Sequence, residues 1–197
     1  LLEGIPDMSD EKPDRMLALP GAPDAKTRRA AMIRVDHAGE YGAVRIYEGQ
    51  LAVFGRQRGV SKTTQAIREM AAQEAAHLTR FDALMLDEKV RPTALRPLWD
   101  VAGFALGAVT ALMGEKAAMA CTAAVETVIE DHYAAQAKAL GPEGAPLTET
   151  IQSFAADEAE HRRRALDAGA AQTPGYRLLS GAIKAGCRIA IKLSEKI

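Results

Sequence analysis

At 197 residues, with 48% apolar and 26% charged composition, the chain is the size of one domain with a sizeable buried core. A net charge of −1 provides no basic field of the kind that holds nucleic acid, which excludes that class of partner. Cys121 and Cys187 are far apart and form no CxxC, so they read as core thiols in a reducing compartment rather than as ligands or a disulfide framework.

In chain order, Leu1 to Asp7 precede Met8; this stretch reads as a vector-derived or truncated start and is set aside. Pro13, Pro20, Gly21 and Pro23 then break up a charged stretch without a sustained period, so residues 1–23 are expected to form a flexible arm and residues 24–197 a helical domain. Asp24 is placed to cap a helix to about Gln57, with Met32, Val35, Val44, Tyr47, Leu51 and Phe54 at helical spacing and Gly55 and Gly59 at its end. Ser61 is placed to cap a second helix to about Glu88, whose apolar stripe is Ile67, Met70, Leu78, Phe81 and Leu84 and which Pro92 and Pro97 close off.

The third segment, Leu98 to about Met113, is almost wholly apolar and bears glycines, which makes it either a core crossover or a membrane-facing element. It is too short to cross a bilayer, which takes roughly 18 to 20 apolar residues. A fourth helix is expected from about Glu115 to Leu140, stopped by Gly141 and Pro142. A fifth begins near Pro146 and Leu147 and continues to about Ala168, and Gly169 and Pro174 separate it from a last helix over Tyr176 to Glu195. No run of alternating β-branched residues is present and alanine is abundant, so the predicted fold class is all-α.

Two Glu-x-x-His motifs, Glu74-Ala75-Ala76-His77 and Glu158-Ala159-Glu160-His161, lie in the middle of predicted helices. Residues three apart share a helix face, so each pair can reach one point in a bundle core. One such motif is a weak signal, since its bland reading is a solvated charged face. Here, however, the pattern is doubled: Glu40 stands 34 positions before Glu74, and Glu126 stands 32 before Glu158. Val44 and Tyr47 share the face of Glu40, as Thr122, Ile129 and Tyr133 share that of Glu126, so both glutamates are predicted to point inward.

Four carboxylates in an apolar core require counter-charge, because each desolvated charge costs several kcal/mol and like charges repel. No lysine or arginine occupies those inward positions. Two divalent metals would neutralise the four carboxylates and accept both imidazoles, and this oxygen-rich set suits iron or manganese better than zinc. The predicted ligands are Glu40, Glu74, His77, Glu126, Glu158 and His161. Among the neighbours, His37 reads as a surface or hydrogen-bonded core histidine. Asp36 is a possible acceptor for a ligand imidazole, Tyr133 returns to the inner face, and His132 lies about a third of a turn off it.

With these residues in place the chain resembles the demethoxyubiquinone hydroxylase family. The resemblance runs from Ile33 to the C-terminus through Arg34-Val-Asp-His-Ala-Gly-Glu-Tyr-Gly-Ala43, Arg91-Pro-Thr-Ala-Leu-Arg-Pro-Leu-Trp99, Gly103-Phe-Ala-Leu-Gly107, Ala118-Met-Ala-Cys-Thr122 and Ala185-Gly-Cys-Arg-Ile-Ala190. It implies a ferritin-like four-helix bundle with an added crossover helix and a C-terminal amphipathic helix. It also implies two iron ions on the six residues above, O2 as co-substrate, and His132 and Tyr133 beside the site, serving electron or proton delivery. The implied reaction is ring hydroxylation of a polyprenylated demethoxyubiquinol with electrons from an external reductant. No Gly-rich nucleotide fingerprint occurs, so use of NADH would need a non-Rossmann site.

The implied partners are the polyprenyl quinol, a membrane surface and a lipid-binding accessory protein. The implied location is peripheral, on the cytoplasmic face of a bacterial inner membrane or the matrix face of the mitochondrial inner membrane. Glu130, one turn beyond Glu126, departs from the expected small residue and reads as a surface group, and the Met8 to Pro23 stretch carries none of the family's motifs. The ligand repeat alone also suits a di-iron quinol oxidase or a non-enzymatic iron-binding bundle.

Overall fold

The computed structural model describes residues 24–56, 59–140 and 144–197; the expected arm over residues 1–23 lies outside them. Asp24 accepts a hydrogen bond from the Thr27 amide at 2.6 Å and so starts α1, Ala25–Phe54. Ser61 does the same for the Thr64 amide at 3.0 Å at the head of α2, Lys62–Asp87. Each such cap is worth about 1 kcal/mol. α3 is Arg96–Leu112, α4 Glu115–Leu140, α5 Ala145–Asp167 and α6 Tyr176–Ser194, with a 3₁₀ turn at Ala170–Gln172 between the last two. No strand occurs among the described residues, and the all-α expectation holds.

Pro97 does not end an element as its position suggested. It sits in the first turn of α3, where a proline's missing N–H would have had no partner and its φ suits the helix.

α1 packs on α2 and α4 on α5, while contacts of α1 with α4 and of α2 with α5 close the four-helix, ferritin-like bundle. α3 runs along α1, and α6 along α4 with further contacts to α1. The α1–α3 approach is backbone on backbone. A Cβ on Gly107 would lie 1.9 Å from the Ile46 carbonyl oxygen, and one on Gly49 2.1 Å from that of Phe104. The third segment therefore docks through its small residues, and Leu98, Val101, Val109 and Leu112 remain exposed.

Two apolar clusters fill the bundle, one around Tyr47, Phe54, Ile67 and Met70, the other around Ile33, Phe81, Leu147 and Ile151. Along each of α1, α2, α4 and α5, the predicted ligands fall between residues of the two clusters. The packing thus leaves a polar layer at mid-height with apolar side chains above and below.

Candidate metal centre

α1 brings Glu40 to this layer, α2 Glu74 and His77, α4 Glu126, and α5 Glu158 and His161. None of the six is more than 4% exposed. Their donor atoms form two overlapping groups, Glu40, Glu74, His77 and Glu158, and Glu74, Glu126, Glu158 and His161, with the atoms of each group within 4.8 Å of one another. Glu74 and Glu158 belong to both, so each carboxylate can reach two positions at once.

The imidazoles are aimed by their outer nitrogens. His77 Nε2 lies 3.1 Å from Asp157 Oδ2, and His161 Nε2 lies 2.9 Å from Gln73 Oε1. Both partner atoms are oxygens that accept, so each Nε2 carries a proton and each Nδ1 points inward, where its lone pair becomes available to a metal that displaces any proton held there. His77 Nδ1 is 3.1 Å from Glu158 Oε1 and 3.5 Å from Glu40 Oε2. His161 Nδ1 is 3.0 Å from Glu74 Oε1 and 3.2 Å from Glu158 Oε2.

Burial pushes Glu74 and Glu126 well above the usual carboxylate range, and the Glu158 charge adds to it; burial also raises Glu40. Glu158 is the counterpoint: burial opposes its charge, but the imidazoles of His161 and His77 beside it outweigh burial and hold it at about 2. For His77, burial is likewise outweighed by Glu158 and Glu40, which take it to about 10. Each of these shifts registers a demand for positive charge among the carboxylates. Among the described residues no lysine or arginine is buried. Glu40 Oε2, both Glu74 oxygens, Glu126 Oε2, Glu158 Oε1 and His77 Nδ1 are buried without a hydrogen-bond partner. Unsatisfied donors-to-metal of this kind are costly unless something binds them. Two divalent cations fit the charge, the donor types and the orphaned atoms.

Two tyrosines cross the centre. Tyr47, on α1, donates to Glu126 Oε1 on α4 at 2.9 Å, and Tyr133, on α4, donates to Glu40 on α1. Tyr133, His132 and Asp36 also line a cavity of about 500 Å³, whose remaining wall is mostly apolar, with Val35, Ile46, Leu106, Ile129 and Ile183 among its residues. His132 lies in this wall beside Tyr133. Its Nε2 lies 3.2 Å from Asp36 Oδ1, which also accepts from Gln136 Nε2 at 2.8 Å.

Asp36 therefore does not serve a ligand imidazole as its spacing suggested; it faces α4 and holds His132. His37 is buried and lies 3.0 Å from Asp82 through Nε2, outside the cluster. Glu130 pairs with Arg162 on the bundle surface. Sequence reasoning missed Asp157 and Gln73 altogether and took Tyr47 for a packing residue. The available signal was positional: Asp157 and Gln73 each directly precede the glutamate of a Glu-x-x-His motif, and Tyr47 follows Glu40 by seven residues, as Tyr133 follows Glu126.

A family profile described as "Ubiquinone biosynthesis protein COQ7" matches residues 27–194. The chain is 53% identical over 179 residues to the 3-demethoxyubiquinol 3-hydroxylase of Rhodospirillum rubrum, covering 91% of this chain and 83% of that one. It is 49% identical over 170 residues to the human mitochondrial NADPH-dependent 3-demethoxyubiquinone 3-hydroxylase, covering 84% and 76%. Against the mitochondrial 5-demethoxyubiquinone hydroxylase of Saccharomyces cerevisiae it is 41% identical over 181 residues, covering 84% and 77%.

Proposed function

The chain belongs to the family of the ubiquinone biosynthesis protein COQ7, and on that premise we propose that it is a two-iron monooxygenase that hydroxylates the ring of a polyprenylated demethoxyubiquinol. The observation that carries the reading is the double role of Tyr133, which lines the apolar cavity and donates to Glu40. A quinol ring in that cavity would lie beside the predicted metal ligands, with its prenyl chain along Ile46, Leu106 and Ile183.

Glu40, Glu74, His77, Glu126, Glu158 and His161 would hold the metals, since their donor atoms form two groups that have Glu74 and Glu158 in common. Reductive activation of O2 is the chemistry that bound ferrous iron supplies there. One oxygen atom goes to the unsubstituted ring carbon and the other leaves as water, which consumes two electrons and two protons from outside. The mostly apolar cavity wall offers few groups that would hold water beside the reacting ring. Tyr133 Oη and His132, held through Nε2 by Asp36 Oδ1, are the groups at the cavity wall through which protons or electrons pass to it. The human relative is named as NADPH-dependent, and a nicotinamide dinucleotide, NADH or NADPH, is the reductant proposed here. A storage bundle would have no use for a 500 Å³ apolar cavity separated from a predicted metal ligand by one tyrosine.

The protein would work peripherally on the membrane that carries the quinone, on the cytoplasmic face of a bacterial inner membrane or the matrix face of the mitochondrial one, together with a lipid-binding accessory protein. No helix among the described residues is long and apolar enough to cross a membrane.

The test is product analysis. Ferrous-loaded protein given labelled O2, a demethoxyquinol analogue and a reductant should yield a ring-hydroxylated quinone carrying one labelled oxygen. Oxidised but unhydroxylated quinone as the sole product would replace this reading with a quinol oxidase.

A further inference from the structure

The two halves of the chain repeat not only the predicted ligands but also their supports, and the supports cross over. Asp157, ahead of the α5 motif, accepts from His77 of the α2 motif at 3.1 Å; Gln73, ahead of the α2 motif, accepts from His161 of the α5 motif at 2.9 Å. Tyr47 and Tyr133 cross between α1 and α4 in the same manner. The tyrosines are chemically alike, but the imidazole supports are not: one is a carboxylate, the other a neutral amide.

That difference acts on the inward nitrogen. A carboxylate drawing on the Nε2 proton raises the electron density at Nδ1 and so strengthens that imidazole as a donor to metal, while an amide oxygen at similar distance does so less. Asp157 is 41% exposed on its side chain, so solvent screens part of its charge and the effect is moderate. The position with the stronger donor is the one built from Glu40 and His77, and Tyr133 ties Glu40 to the cavity wall.

We infer that Asp157 and Gln73 are positioning residues that make the two metal positions unequal, the Glu40–His77 position on the cavity side being the stronger binder and the Glu126–His161 position the weaker. The inference rests on the two-metal reading above.

The experiment is an anaerobic titration of the metal-free full chain with ⁵⁷Fe(II), followed by Mössbauer spectroscopy. The wild type should show two ferrous environments that fill in order, one before the other. Asp157→Asn keeps the side-chain shape and removes the charge. It should weaken the first-filling environment about 10-fold, the lower end of what such outer partners contribute, so that the two fill together. Gln73→Glu should have the opposite local effect, strengthening the environment that fills second, and it tests the idea even if the first variant does not fold. Two irons that fill together in the wild type, or a sequence of filling that neither variant alters, would overturn the inference and leave the two-metal reading intact. At most one iron in every form would overturn both.

Discussion

Tyr133 on α4 gives its hydroxyl hydrogen to Glu40 on α1, and the same ring forms part of the cavity wall. Its counterpart Tyr47 makes the matching bond to Glu126 but is packed among Phe54, Ile67 and Met70, away from the cavity. Tyr133→Phe should therefore keep the fold and both irons and slow formation of hydroxylated product by about 10- to 100-fold, as loss of an outer partner does. Single-turnover product formation, measured beside iron content, checks this; unchanged turnover with full iron would remove Tyr133 from the mechanism.

The occupant of the cavity can be read from Cys187, which lines it. Burial raises this thiol to about 11, so its reactive thiolate is scarce at neutral pH, and its alkylation by iodoacetamide should speed up about tenfold per pH unit between pH 7 and 9. A saturating demethoxyquinol analogue should slow that alkylation at every pH. Peptide mass analysis would follow Cys187 separately from the fully buried Cys121. An alkylation rate indifferent to the analogue would place the quinol elsewhere.

The α1–α3 contact should be intolerant of one methyl group. Gly107→Ala puts a Cβ into the Ile46 carbonyl and should cost about 1–3 kcal/mol as overpacking. Gly181→Ala on exposed α6, where nothing lies within 4 Å, should instead stabilise by about 0.5–1 kcal/mol, since alanine is the better helix former. Denaturant unfolding of the two variants side by side is the check, and equal midpoints would mean that α3 is not held by close backbone packing.

How much of this was legible in the sequence follows from what periodicity encodes. Helical spacing says which residues share a face, which is why the caps at Asp24 and Ser61 and the inward turn of all six predicted ligands could be read directly. Spacing does not say which helix lies opposite. Asp36 could be placed near Glu40 on α1, yet its partner is His132 of α4, and Asp157 and Gln73 gain their meaning only when α2 meets α5. The choice between a core crossover and a membrane-facing element for the third segment was likewise not decidable from hydropathy. Its glycines face α1 while Leu98, Val101 and Val109 face outward, and an apolar average describes both faces at once.

Those outward faces carry a prediction of their own. Val109 and Leu112 on α3 and Met113 just after it are exposed, as are Leu178 and Ile189 on α6, and α6 also bears Lys184, Arg188 and Lys192. Apolar side chains beside basic ones favour an anionic lipid surface. The protein should float with anionic liposomes, less so in high salt, and Leu178→Asp should weaken the association. A protein that stays wholly in the soluble fraction at low salt would refute the membrane proposal.

Glu74 and Glu158 belong to both donor groups, so two metals are expected to share them, and elemental analysis of the iron-reconstituted protein shows whether both positions fill. Wild type prepared under reducing, iron-replete conditions should hold about two irons per chain, the number that such a ligand set binds. His77→Ala or His161→Ala should lower that number and abolish hydroxylation while circular dichroism still reports a helical fold. A wild-type content of one iron or less under those conditions would mean that the six residues do not form a two-metal centre.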